Sequence, residues 1–336
     1  MIRTVAAACA LTVALVASSC SVSVSGSARP VPNPPPPTRL SAKAVTVDPA
    51  RVTAEAVFGD QLFVDLCLYF RADDLKSFGS PKLISPEAFD ACAYSITRAD
   101  GSVVEVEAHE IDSLEGGPGD DPELIDLGGG LKSLVFDDET GGCGQGVVFP
   151  DDITFMVDVY ADTPKDDLCP IAAKAVTSMV ARFDDGLVSK RVIEADSLAR
   201  VDACDLLPPA LTEHVPGLNS RSGLSPVTKH ECHYGDVGTS TLSLTLGAGW
   251  LDFEGTDRRN VTLAGRPTTI AGGPGAPADG FVECWAMTYV QPIAIDGLDA
   301  QAEYAALSVW VKEADADDAC PALTKVLDEV WPKLSR

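Results

Sequence analysis

Eight of the ten cysteines fall into two sets of four, and that spacing constrains this 336-residue chain more than any other feature. Cys67, Cys92, Cys143 and Cys169 are followed by Cys204, Cys232, Cys284 and Cys320, at offsets of 137, 140, 141 and 151 residues. The neighbours repeat as well. Val64-Asp65-Leu66-Cys67 matches Val201-Asp202-Ala203-Cys204, and Cys92-Ala93-Tyr94 matches Cys232-His233-Tyr234. Asp166-Asp167-Leu168-Cys169-Pro170 matches Asp317-Asp318-Ala319-Cys320-Pro321. The pattern reads as a tandem duplication. The longer last offset is assigned to an insertion over Gly297 to Ala306, expected as a longer hairpin loop.

An even number of cysteines on an exported chain reads as disulfides, and the absence of CxxC removes the main support for zinc-ribbon or thioredoxin-type sites. Equivalent cysteines should pair alike, which leaves three patterns per copy. The favoured one is Cys67–Cys92, Cys143–Cys169, Cys204–Cys232 and Cys284–Cys320, because each bridge then pins a helical segment to a strand.

Each copy reads as α+β. A short helical segment follows the first cysteine, clearest at Leu206 to Val215. Alternating Val104, Val106 and Ala108, and then Leu242, Leu244 and Leu246, predict strands. Further strands are predicted over Gly146 to Phe149 and Thr154 to Tyr160, and over Ala286 to Val290 and Ala305 to Val311. Asp167 and Asp318 suit N-caps of a closing helix, with Pro170 and Pro321 in its first turn. Ala172, Val176, Met179, Val180 and Phe183 form one apolar stripe; Leu323, Val326, Leu327, Val330 and Trp331 form the other. The expected fold is two tandem similar domains, each an antiparallel sheet with helices on one face and two disulfides. The expected boundaries are 1–19 signal peptide, 20–46 Ser/Pro-rich linker, 47–186 first repeat and 187–336 second repeat.

The leader has Arg3, an apolar stretch from Val5 to Val16, and small residues Ala17, Ser18 and Ser19 before Cys20, which is the layout of a secretory signal. Pro30 to Pro37 lies at the centre of a segment that favours extended polyproline II and suits a spacer. With 50 acidic against 25 basic side chains the net charge is −25, which argues against nucleic acid as a partner. After residue 19 no apolar run reaches the roughly 20 residues needed to span a bilayer.

The segment ending at Cys20 is similar to a bacterial lipobox, with Ala17 where Leu is usual. The resemblance implies cleavage before Cys20 and a lipid anchor there, with palmitate-type acyl chains; the alternative is a freely secreted protein with one odd cysteine. Together with the spacer, the Asp-x-Cys opening at Asp202-Ala203-Cys204 and the Cys-x-aromatic at Cys232, the chain resembles actinobacterial envelope lipoproteins that share a domain of unknown function. The likeness is clearest over about 200–336, with Tyr94 and Tyr234 where Trp is expected. It implies a cell-surface lipoprotein, anchored at the extracytoplasmic face of the membrane, that is not an enzyme.

Motifs with chemistry are sparse. His230-Glu231-Cys232-His233 lacks the spacing of HExxH, and a bridged Cys232 supplies no thiolate. His109 and His214 have no partner recognisable in sequence. Gly116-Gly117-Pro118-Gly119, Gly272-Gly273-Pro274-Gly275 and Gly128-Gly129-Gly130 read as loop punctuation. The acidic runs at Asp120 to Glu123, Asp137 to Glu139 and Asp315 to Asp318 lack EF-hand spacing and read as solvated surface. No catalytic residue, metal site or cofactor is expected. The function expected is a non-catalytic binding or accessory module for an unidentified envelope ligand or protein. The alternatives are a structural or sensory ectodomain, or an envelope hydrolase with an unrecognised site.

Overall fold

The computed structural model describes residues 52–58, 64–84, 89–113, 124–137, 142–161, 168–183, 193–219, 223, 226–236, 238–249, 258–278, 280–293, 298 and 301–334. The leader with Cys20, the proline-rich linker, Gly116 to Glu123, Asp138-Glu139, Asp167 and the seam near Gly186 lie outside the described residues.

The first half runs through α1 (Ala54–Phe58), a 3-10 turn (Leu66–Leu68), α2 (Ala72–Leu75), β1 (Ser80–Ile84), β2 (Cys92–Thr97), β3 (Val103–Ser113), β4 (Ile125–Gly128), β5 (Leu131–Asp137), β6 (Cys143–Val148), β7 (Ile153–Ala161) and α3 (Cys169–Phe183). The second half has a 3-10 turn (Leu198–Arg200), α4 (Ala203–Leu206), a 3-10 stretch (Pro209–His214), β8 (Glu231–Tyr234), β9 (Thr241–Gly249), β10 (Arg259–Leu263), β11 (Arg266–Ala278), β12 (Phe281–Ile293), β13 (Gln301–Lys312), a 3-10 turn (Glu313–Asp318) and α5 (Ala319–Val330). The product is a mixed α/β structure with two antiparallel sheets. One has seven strands in the order β1-β2-β3-β7-β6-β5-β4 and the other six in the order β10-β11-β12-β13-β9-β8. Read from β2 and from β8, the two orders are the same, strand for strand, and β1 is the addition.

Period-two alternation sends one face of each strand inward. Val104, Val106 and Ala108 face Phe155, Val157 and Val159 within the first core, closed by Ala172, Val176, Met179 and Phe183 of α3. Phe58, Tyr69 and Phe183 meet there edge to face, with centroids 5.3 to 5.6 Å apart. In the second core Leu242, Leu244, Leu246, Leu307, Val309 and Val311 pack beneath Leu323, Val326, Leu327, Val330 and Trp331. The Trp331 indole donates to Thr268 Oγ1 at 2.9 Å, so its one polar atom is satisfied in the core.

Four disulfides close the two halves: Cys67–Cys92, Cys143–Cys169, Cys204–Cys232 and Cys284–Cys320, with Cα separations of 5.1, 5.2, 4.9 and 5.2 Å. Each joins a helical turn or helix to a strand. The repeated motifs around them have matching roles. Asp65 and Asp202 accept from the Cys67 and Cys204 amides at 3.1 and 3.0 Å, capping the turns that carry those cysteines.

Several local expectations are corrected. Leu206 to Val215 is not one helix: Pro208-Pro209 interrupts it, because a proline ring has no amide to donate and clashes with the preceding turn. Asp318 caps nothing with its side chain, since the chain is already helical over Glu313–Asp318 when α5 begins. Gly272-Gly273-Pro274-Gly275 is not a loop. It lies inside β11, where the register with β12 shifts between Gly272 and Pro277. Gly272 has φ +91°, and a Cβ there would sit 2.3 Å from the Glu283 carbonyl oxygen. The extra residues before Ala306 are also not all loop. Residues 301–306 are paired in β13, so the second half has a longer hairpin made largely of strand.

Candidate functional site

Because α5 covers one face of the second sheet, the alternate residues face the other way. On β12 these are Phe281, Glu283 and Trp285; on β13, Ser308 and Trp310; on β9, Thr241, Ser243 and Thr245. All are partly exposed. Register sets Trp310 between Glu283 and Thr241, and Trp285 opposite Ser308. The Ser308 and Ser243 hydroxyls lie 2.9 Å apart. Burial raises the carboxyl pKa of Glu283, against the opposing effect of a hydrogen bond from the Trp310 side chain. Where this face meets the β8–β9 turn there is a shallow depression of about 200 Å³, lined by Asp236, Gly238, Thr239, Thr241, Phe281 and Trp310. The Thr239 hydroxyl donates to the Asp236 carbonyl at 2.7 Å, which fixes the rim.

Aromatic side chains on a rigid sheet lose little freedom when they make contact, and interspersed hydroxyls and a carboxyl supply directional bonds. The face is therefore equipped to hold a surface or ligand. The sequence motifs do not point to it. Phe281-x-Glu283-x-Trp285 is its only local signal, and Trp310 joins that row only through β12–β13 pairing.

The structure separates the residues of the HExH motif. Cys232 is buried in its bridge, Glu231 and His233 share the opposite face of β8, and His230 is buried just before the strand. Among the described residues there is no group of three His, Cys, Asp or Glu side chains that could hold a metal ion. His109 and His214 do have partners, which the sequence conceals. His109 Nε2 lies 2.7 Å from Asp158 Oδ2 on the neighbouring strand β7, and His214 Nε2 lies 3.1 Å from Glu329 Oε1 on α5. A buried carboxylate, Glu303 on β13, accepts from the Ser197 hydroxyl, the Leu198 amide at 2.8 Å and Gln291 Nε2 at 3.0 Å. It fastens the segment that opens the second half onto the sheet.

No protein-family model matches the chain, and no curated protein matches it in sequence. Among solved structures, DynU16 from the dynemicin biosynthetic locus aligns over 87% of this chain and 95% of its own, at 12% identity and a TM-score of 0.15. MucB in complex with MucA(peri) aligns over 71% of this chain and 90% of its own, at 11% identity and a TM-score of 0.12. At such scores neither likeness carries an argument about fold or function.

Proposed function

We propose that this protein is a cell-surface lipoprotein of an actinobacterial-type envelope, anchored through a lipid on Cys20, that acts as a non-catalytic binding or accessory module. Residues 47–186 and 187–336 are then two tandem similar domains. The supports for that are the shared strand order and the matching Asp65 and Asp202 caps. The observation that carries the binding reading is the outer face of the second sheet, where Phe281, Trp285 and Trp310 lie partly exposed among hydroxyls and one carboxyl. The proline-rich linker serves as a spacer between anchor and module, and the partner is an envelope ligand or protein rather than nucleic acid, given the net charge of −25.

Native mass spectrometry of the protein recovered from its own envelope tests this reading. The expected result is a bound species on the wild type that is lost from the Trp285→Ala, Trp310→Ala double variant with its fold intact. The same species on both proteins removes this face from consideration. A wild type carrying nothing from any envelope fraction overturns the binding reading itself.

A further inference from the structure

The two halves touch through residues that are equivalent in the repeat. Asp90 lies two residues before Cys92, and His230 lies two residues before Cys232. Both are buried, at 7% and 3% exposure. His230 Nε2 lies 3.0 Å from the Ala199 carbonyl oxygen, and since a carbonyl only accepts, Nε2 carries a hydrogen. The second nitrogen, Nδ1, has no hydrogen-bond partner among the described residues and faces Asp90 Oδ1 at 3.9 Å. A neutral imidazole in this tautomer would turn a bare lone pair towards a carboxylate in a buried contact, two acceptors face to face. The Phe89 ring, 4.9 Å from the imidazole, walls the contact off and is itself part of the second core. In return Val227 packs against the first core.

We propose that Asp90 and His230 form a proton-operated latch between the two halves, closed when Nδ1 is protonated and loosened when that proton leaves. Protonation makes Nδ1 a donor facing the Asp90 carboxylate, so the pair becomes an imidazolium and its counter-ion. Uncharged groups placed against the pair are the Ala199 carbonyl, the Phe89 ring and Thr228, whose side chain bonds Asp90. Lys229, next to His230 in the chain, pairs with Asp202 at 3.5 Å and is more exposed. Asp90 is the charged partner that faces His230 across the contact. The arrangement is independent of the outer face of the second sheet.

The test uses the whole chain labelled with ¹⁵N at histidine, with His230 assigned by its absence in His230→Gln. In mildly acidic solution the wild type is expected to show both ring nitrogens of His230 protonated. Asp90→Asn is expected to show the tautomer with Nδ1 bare. As the wild type is brought to higher pH and the His230 signal becomes neutral, exchange protection of the Ala203 and Leu246 amides should fall. These bond the Lys229 and His230 carbonyls. Protection in the β12–β13 ladder should persist. A His230 that stays neutral in the wild type at every pH at which the chain is folded overturns the proposal whether or not Asp90→Asn folds. So does protection that falls equally in both places.

Discussion

Tyr234 donates its hydroxyl to the carbonyl of Leu207 at 2.7 Å, and Tyr94 does the same to Phe70 at 3.3 Å. Leu207 and Phe70 each lie three residues after the first cysteine of their half, so the Cys-x-Tyr motif ties the helical turn to the strand a second time beside the disulfide. Tyr234→Phe should leave a buried carbonyl unsatisfied and cost about 1 to 3 kcal/mol, with Tyr94→Phe costing less because its bond is longer. Urea unfolding midpoints of the two variants check the order.

Burial also raises the pKa of both tyrosines. The neutral form is favoured in the folded chain, so this part of the stability is present below about pH 10, the unfolded tyrosine value, and is lost as pH rises through the higher folded values. Unfolding midpoints measured across the alkaline range should fall more steeply for the wild type than for the Tyr94→Phe, Tyr234→Phe double variant.

Asp90 titrates on the acid side. Burial works to raise its pKa, but the facing imidazole of His230, with the Thr228 hydrogen bond, outweighs it and leaves the pKa lowered. The associated stability is present above the unfolded aspartate value and is lost as pH falls through the lower folded value. Wild type and Asp90→Asn should therefore converge in stability in strong acid and diverge towards neutrality, as followed by circular dichroism.

Phe89 is 3% exposed and sits in the core of the other half. Phe89→Ala should cost about 3 to 5 kcal/mol. A fragment of residues 187–336 should unfold at lower denaturant than the second half does within the whole chain, because that ring is missing. Equal stability of fragment and whole would show that the ring contributes nothing to the second core.

The bridges enclose loops of 25, 26, 28 and 36 residues, for which chain entropy gives about 3 to 4 kcal/mol each. Loss of Cys169 or Cys320 should therefore lower the melting temperature far more than removal of any one surface charge, as calorimetry would show. For the anchor, Cys20→Ala should release the protein to the medium or leave an unprocessed precursor. Wild-type membrane fractionation of the processed variant would count against lipidation.

The cysteine spacing and the alternation at Val104 to Ala108 and Leu242 to Leu246 were legible because disulfide geometry and the pleat leave local marks on a sequence. The His109–Asp158 pair was not. It depends on the register of β3 against β7, which crosses the intervening strands β4 to β6 in the chain. Trp310 beside Glu283 was hidden because the β12–β13 hairpin shifts register between Tyr289 and Gln291, so spacing along the chain does not show which residues face. Gly272 was misread because a bulge and a loop ask for the same residue, and only the close approach of the Glu283 carbonyl tells them apart.

The meeting of Asp90 with His230 sets one position of the repeat against its own counterpart. A two-fold axis in a homodimer does the same, and there the facing side chains must be identical. Two aspartates at that spot would repel and two histidines would each lack an acid. Joining the halves in one polypeptide lifts the restriction, because the two positions can then differ. The chain can place an acid against a base where the two equivalent positions meet, which a two-fold axis between identical subunits does not allow.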